Sequence, residues 1–198
     1  MKTIHDFVAG DVPPFVKGKM LDVGGGWGRW KNELERYAES YTIADLPEED
    51  ARALSFRDAS FDTVVCFEVL EHVDDTRKVI SEMYRVLKPG GFAIATAPFT
   101  YPEHANPGDY YRFTPQGFRF LFEQAGFTVR EVRSIGNIWT VLGVILKAKM
   151  KEHGRAGHRV RANGHRVLHA ACCFLSERAL PDPHFFTHSA IVVQRHTS

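Results

Sequence analysis

The sequence predicts an α/β fold in which a mainly parallel, twisted sheet carries helices on both faces. Three observations predict it. Short apolar runs alternate with amphipathic segments of helical period, the rhythm of strand–helix–strand units. The first apolar run ends in a glycine-rich turn, "LDVGGGWGRW" (21–30). The run "FDTVVCFEVL" (61–70) is apolar at most positions, as a strand covered on both faces requires. With 198 residues, 44% of them hydrophobic, the chain is long enough for one full core, and 1–198 reads as a single domain.

The elements follow in order. "GKMLDVGG" (18–25) reads as the first strand and its turn, and "GRWKNELERYAES" (28–40) as a helix with Trp30, Leu34 and Tyr37 on one side. "YTIADL" (41–46) and "FDTVVCFEVL" are the second and third strands. "DDTRKVISEMYRVLKPGG" (74–91) is the clearest helix: Val79, Ile80, Met83 and Leu87 form one stripe, and Pro89, Gly90 and Gly91 stop it. "FAIATAPF" (92–99) is the fourth strand. "TPQGFRFLFEQAGF" (114–127) is a helix with Thr114 as N-cap, Pro115 in the first turn and Gly126 past the end. "TVREVRSIG" (128–136) and "HSAIVVQR" (188–195) are the last strands. Between them, residues 138–180 read as a basic helical insertion. Lys147, Lys149, Lys151, Arg155, Arg159, Arg161, Arg166 and Arg178 there face only Glu152 and Glu177. Within it, "HRVLHAACCFLSERAL" (165–180) has the period of an amphipathic helix with Val167, Leu168, Ala171 and Leu175 inward.

Bulk properties exclude several classes. A net charge of +1 gives no case for a nucleic-acid partner. Cys66, Cys172 and Cys173 form neither a disulfide framework nor a metal knuckle, so a reducing compartment is expected. The N-terminus, "MKTIHDFVAGDVPPFV", lacks the apolar run of a signal peptide. The longest apolar stretch, Ile138 to Leu146, falls short of the roughly 20 residues of a spanning helix. A cytoplasmic protein is the expectation.

The glycine turn limits the ligand. The dinucleotide fingerprint G-x-G-x-x-G fits Gly24 and Gly26 but meets Arg29 at its last position, and the phosphate-loop Gly-Lys-Ser/Thr is absent. What fits is D-x-G-x-G-x-G: Asp22, Gly24, Gly26, Gly28. A carboxylate repels a pyrophosphate and attracts an ammonium group. S-adenosylmethionine, cationic and phosphate-free, therefore suits the turn better than a nicotinamide dinucleotide does; the alternative is a tight turn with no ligand. Asp45 ends the second strand, where a carboxylate accepts ribose hydroxyls, unless it serves only as a turn residue. Asp50 is a candidate for the adenine amine or a solvated loop acid.

"LDVGGGWG", "IADL", "DARALSFRDASFDTVVCFEVLEHVDD" and "RVLKPGGFAIATAPF" occur in order between Lys19 and Phe127. Together they resemble class I S-adenosylmethionine-dependent methyltransferases of the small type-11 family. The resemblance implies a Rossmann-like methyltransferase fold with an antiparallel last strand, and S-adenosyl-L-methionine as cofactor. It puts Asp22, Gly24, Gly26 and Gly28 at the methionine end and Asp45 with Leu46 at the ribose. Asp50 and Ala51 flank the adenine, and Phe67 and Glu68 lie under the cofactor. Gly25, where the family often has cysteine or another small residue, reads as a harmless departure. Trp27 is bulkier than usual. Only four residues separate Asp45 from Asp50, where the family places a helix and a strand. Either that unit is missing and the sheet is one strand narrower, or Asp50 is misassigned. If it is missing, the Trp27 ring is expected to cover the adenine side.

Methyl transfer from a sulfonium needs chiefly in-line positioning, and a hydroxyl acceptor also needs a base. His104 and His72 follow the fourth and third strands and are the candidate catalytic histidines; a purely structural role is the alternative for each. Tyr101, Asp109, Tyr110, Tyr111 and Arg112 are the candidate substrate residues, with a structural Asp109–Arg112 pair as the alternative. Their pattern, H-x-x-P-x-D-Y-Y-R-F-T, resembles a type-11 subgroup found with glycan or lipid-linked sugar biosynthesis. The expected function is O-methylation of a small-molecule or sugar-like acceptor, with a lipid-linked sugar as one form of the latter. Alternatives are small-molecule N-methylation and a cofactor-binding module without catalysis. The basic insertion reads as a cap over the site, or as a contact with an anionic substrate or membrane surface through 138–151. His165 and His169 are four apart on one helix but lack a third ligand, so no metal is expected. The oligomeric state stays open.

Overall fold

A computed structural model describes residues 3–104, 108–155, 159–180 and 182–197, with the side chains of 151–155 and 159–166 excepted. A capped turn, α1 (Ile4–Asp6), precedes the first strand; the Thr3 hydroxyl accepts from the Asp6 amide and the Asp6 carboxylate from that of Thr3. The strands are β1 (Lys19–Val23), β2 (Ser40–Ala44), β3 (Phe61–Phe67), β4 (Leu87–Pro98), β5 (Phe127–Ile135) and β6 (His188–Arg195). They form one sheet of order β2-β1-β3-β4-β6-β5. β2, β1, β3 and β4 are parallel, and β6 runs antiparallel between β4 and β5. This is the mainly parallel sheet with an antiparallel last strand that the sequence predicts.

Alternation along the strands builds two apolar layers. Leu21, Val64, Cys66, Ala93, Ala95, Ile191 and Val193 face one way, toward α3 (Thr76–Val86) and α4 (Pro115–Gln124). Met20, Val65, Phe67, Ile94, Ala190 and Val192 face the other, where Phe7, Val8, Val12, Trp30 and Leu34 cover them. α3 buries Val79, Ile80, Met83 and Val86, and the Asp75 carboxylate caps it by accepting from the Lys78 amide. In α4 the Thr114 hydroxyl caps the Gly117 amide, with Pro115 in the first turn, as expected.

Three expectations are corrected. The helix predicted over 28–40 is short: α2 (Lys31–Leu34) gives way to a 3-10 turn through Tyr37, whose ring is exposed. No side chain caps its N-terminus, and Gly28 enters it left-handed, so little holds a longer helix. The fourth strand begins at Leu87, not at Phe92: it pairs with β3 at Phe61–Leu87, shifts register, and resumes at Thr63–Phe92, with Gly90 left-handed at φ +75° in between. The third concerns the helices between β5 and β6, α5 (Ile138–Arg155) and α6 (Arg159–Arg178). Val167, Leu168, Ala171 and Leu175 point outward; Cys172 and Ser176 are the buried residues. Small side chains win the inner face because the helices approach closely there: a Cβ on Gly143 of α5 would stand 3.6 Å from that of Cys172.

Residues 45–60, between β2 and β3, contain no helix or strand, and β2 is the sheet's edge. The unit suspected missing from the spacing of Asp45 and Asp50 is absent. Among the described residues no helix is long and apolar enough to cross a membrane.

Candidate active site

β1, β3 and β4 are parallel, so their carboxyl ends share one edge of the sheet, where ligands of such folds bind. At that edge the first turn passes through Gly24, Gly26 and Gly28 with φ of +71°, +55° and +77°, a region open to glycine and strained for other residues. The Gly24 amide donates to the Ala44 carbonyl at 2.7 Å, fastening the turn to β2. Asp22 is 1% exposed, and the Tyr41 hydroxyl donates to its Oδ2. Burial pushes the Asp22 carboxyl up to about 6 against the opposing Tyr41 bond, and the Asp45 charge adds to the rise. Glycine fits at position 25: a Cβ there would stand 2.5 Å from Asp22 Oδ2 and 3.1 Å from Ile43 Cγ2, so a larger residue requires the Asp22 carboxylate to shift. Trp27, at 107% exposure, projects into solvent between two left-handed glycines and does not cover the adenine side.

Three cavities meet along this edge. The first, about 380 Å³, is bordered by Gly24, Asp45, Leu46, Asp50, Ala51 and Glu68. Asp45 Oδ1 accepts the Leu46 amide at 2.9 Å, and its Oδ2 faces the turn, 3.6 Å from where a Cβ on Gly26 would stand. Asp50 is engaged by Arg52, whose guanidinium holds its carboxyl below the usual range and also reaches Asp74. The second, about 330 Å³, is bordered by Asp22, Gly24, Gly26, Arg29, Phe67 and Glu68. The third, about 470 Å³, lies against α5 and includes Arg29, Glu68, Tyr101, Trp139, Lys147 and His188.

Glu68 borders all three. Its φ of +59° is rare for a non-glycine residue, and such strain concentrates at functional sites. Glu68 Oε2 lies 3.1 Å from His188 Nε2, while Oε1 is buried without a hydrogen-bond partner among the described residues. His188 Nδ1 lies 2.9 Å from the Thr187 hydroxyl, and the Tyr101 ring is 5.4 Å away.

The two histidines expected from the sequence sit together around Glu71. Its carboxyl is fully buried, and among the described residues neither oxygen has a hydrogen-bond partner. Burial, then the charge of Glu68, pushes it up to about 8. His72 Nε2 and His104 Nε2 lie 3.6 and 3.9 Å from Glu71 Oε1. These three groups place potential metal-ligand atoms within 4.8 Å of one another. His72 Nδ1 lies 2.5 Å from the carbonyl of Gly108, in the segment between β4 and α4.

The candidate substrate residues disperse. Asp109 and Arg112 form a two-bond ion pair of 2.5 and 2.7 Å, and Asp109 Oδ2 also accepts the His104 amide at 2.9 Å. Arg112 further donates to the Tyr111 carbonyl, so the pair closes its own loop. The Tyr111 hydroxyl donates to the Asp74 carbonyl at 2.7 Å. Tyr110 borders the first cavity and Tyr101 the third. His165 lies outside the described side chains, and His169 instead sits 3.8 Å from Cys173 Sγ. Sequence reasoning missed Tyr41, Glu71, Trp139 and His188. A signal for His188 existed: an antiparallel last strand starts at the edge where the parallel strands end, and His188 pairs with Pro98.

Residues 21–95 match the family model described as a methyltransferase domain. A probable S-adenosylmethionine-dependent methyltransferase of Mycolicibacterium smegmatis is 32% identical over 101 residues, which cover 48% of this chain and 39% of the relative. A ubiquinone biosynthesis O-methyltransferase of Xanthomonas oryzae is 35% identical over 95 residues, 37% of this chain and 40% of the relative. The chain thus spans less than half the length of these curated relatives. Other relatives are named as C- and N-methyltransferases. Among solved structures, an S-adenosylmethionine-dependent methyltransferase from Mesorhizobium loti superposes with a TM-score of 0.57 at 16% identity, covering 92% of this chain and 93% of its own. That likeness is one of fold.

Proposed function

We propose, from the S-adenosylmethionine-dependent methyltransferase family to which residues 21–95 belong, that this chain methylates an oxygen of a small acceptor. The observation that carries the reading is the position of Glu68, shared by a nucleoside-sized cavity, the cleft along the glycine turn and a third cavity beyond them. Bound in the first two, S-adenosylmethionine supplies a methyl group activated on a sulfonium.

The residues present fit that cofactor. Asp45 keeps an oxygen toward the turn for the ribose hydroxyls, with Leu46 and Ala51 along the nucleoside. Asp22, ionised near neutral pH, favours the ammonium group of the methionine end. Asp50 is assigned to Arg52 and the loop, so an adenine contact there is left to its backbone neighbours. A hydroxyl is a poor nucleophile until its proton has a destination. The Glu68–His188 pair, which borders the third cavity, supplies one. The bound cofactor would supply the methyl group and leave as a neutral thioether holding the electrons of the broken bond, and the acceptor's proton would pass to the Glu68–His188 pair. His72 and His104 then build the wall around Glu71, in place of the base role expected from the sequence.

Calorimetry with S-adenosylhomocysteine tests the reading. The wild type should bind, and Asp45→Ala should weaken binding by about tenfold or more, the loss expected for charge-assisted hydrogen bonds. No binding by the wild type would sink it.

A further inference from the structure

The charge along the groove reverses at Glu68. On the nucleoside side stand Asp45, Glu49, Asp50 and Asp74, answered by Arg52. The third cavity has Arg29 and Lys147 on its border, and its one carboxylate, Glu68, is engaged by His188. Among the described residues neither Arg29 nor Lys147 has a carboxylate partner; the Arg29 guanidinium lies over the Trp30 ring, 4.7 Å from its centre. The remaining border mixes the apolar and aromatic Ile4, Tyr101, Trp139 and Val144 with polar residues that include His5, His169 and Ser176. Both cations are exposed, and two like charges on the border of one cavity raise the local concentration of an anion. They repel a cationic amine, and so does a sulfonium bound beside them.

We infer that the third cavity is the acceptor site, and that it takes a hydroxylated ring compound bearing a carboxylate or phosphate. The anionic group turns to Arg29 and Lys147, the ring packs on Trp139, and the hydroxyl meets Glu68 and His188. This rests on the reading above, in which the methyl group is delivered beside Glu68.

The test uses the full chain saturated with S-adenosylhomocysteine and titrated with phenyl phosphate, benzoate and neutral benzyl alcohol, followed by calorimetry and ligand-observed NMR. At least one anion should bind about tenfold more tightly than benzyl alcohol. Benzoate or phenyl phosphate preferred alone identifies the anion as carboxylate or phosphate. Lys147→Gln, an exposed position that leaves the core untouched, should cut the preference by about threefold or more. Trp139→Ala should weaken all three probes alike. Equal binding of anionic and neutral probes, no binding of either anion, or binding indifferent to both variants overturns the inference. Binding of S-adenosylhomocysteine is recorded first in the same sample. Its absence defeats the proposed function, whereas its presence without an anion preference defeats only the assignment of the acceptor.

Discussion

Replacing Glu71 by glutamine should stabilise the protein, increasingly so as pH rises. Glu71 is 0% exposed, neither oxygen has a hydrogen-bond partner among the described residues, and burial lifts its carboxyl from an ordinary 4.5 to about 8. Between those values the folded chain holds a proton that the unfolded chain has released. Stability therefore falls as pH rises from about 4.5 to about 8 and is level above, at roughly 1.4 kcal/mol for each pH unit. The full gap corresponds to about 5 kcal/mol, and the interval from about pH 5.5 to about pH 7.5 to about 3 kcal/mol. Protonated His72 and His104, and the guanidinium of Arg112, favour the ionised carboxylate; Glu68 and Asp109 oppose it. The imidazoles make these figures upper bounds. Glutamine keeps the shape of the neutral acid and cannot ionise, so the Glu71→Gln protein lacks that slope. Urea unfolding of both proteins across this pH range, read by tryptophan fluorescence, measures the difference. Unfolding free energies that run parallel within about 0.5 kcal/mol would show Glu71 ionised in the folded state and refute the desolvation argument.

Gly25→Ala should cost about 1–3 kcal/mol and weaken S-adenosylhomocysteine, because the new methyl meets Asp22 and Ile43; an alanine protein of wild-type stability and affinity contradicts the packing. Affinity for S-adenosylhomocysteine should be level above about pH 7 and fall below about pH 6, approaching tenfold per pH unit, as Asp22 takes up a proton. Asp22→Asn should bind more weakly and lose that dependence; a wild-type affinity independent of pH across this range excludes a charge contact. Asp109→Ala should lower stability by roughly 2–4 kcal/mol at neutral pH, since it leaves the half-buried Arg112 guanidinium without its carboxylate. Arg112 holds the Asp109 carboxyl well below the usual range. Its contribution is therefore full above the ordinary carboxylate value and is lost only as pH falls through the lowered one; urea unfolding at neutral and acid pH checks both statements.

What was legible in the sequence depended on short stretches. "FDTVVCFEVL" announces a doubly buried strand by its own composition, and β3 buries Val64 toward one layer and Val65 toward the other. The glycines of the first turn announce left-handed backbone, and counting from Asp45 to Asp50 exposed the missing unit. What was not legible depended on partners distant in the chain. Gly25 looks replaceable until Ile43 and Asp22 close on it from neighbouring strands. Helical periodicity marks Val167, Leu168 and Leu175 as an inner face. It cannot register that α6 turns Cys172 and Ser176 inward, with Cys172 against Gly143 of α5. Asp109 and Arg112 have the composition of a binding pair, and only their bidentate geometry shows that they spend their charges on each other.

The loss before β3 and the helices before β6 act on opposite halves of the same groove. Without a helix and strand after β2, the outer wall of the nucleoside side is the 45–60 loop, facing Val69, His72, Val73 and Tyr110 across the first cavity, so in the proposed reading retention of a cofactor leans on directed contacts from Asp22 and Asp45. On the far side α5 brings Trp139, Val144 and Lys147 over the third cavity, and β6, by running backward, brings His188 to the edge where β4 ends. No short segment specifies that second half; it exists only when α5, β3 and β6 have assembled. Glu68 joins the halves. Its left-handed backbone turns the chain out of β3 where the three cavities meet, and its carboxylate lies 3.1 Å from His188. A change on α5 at Trp139, Val144 or Lys147 therefore alters the proposed acceptor cavity without touching the first two, whose borders hold no α5 residue among the described ones.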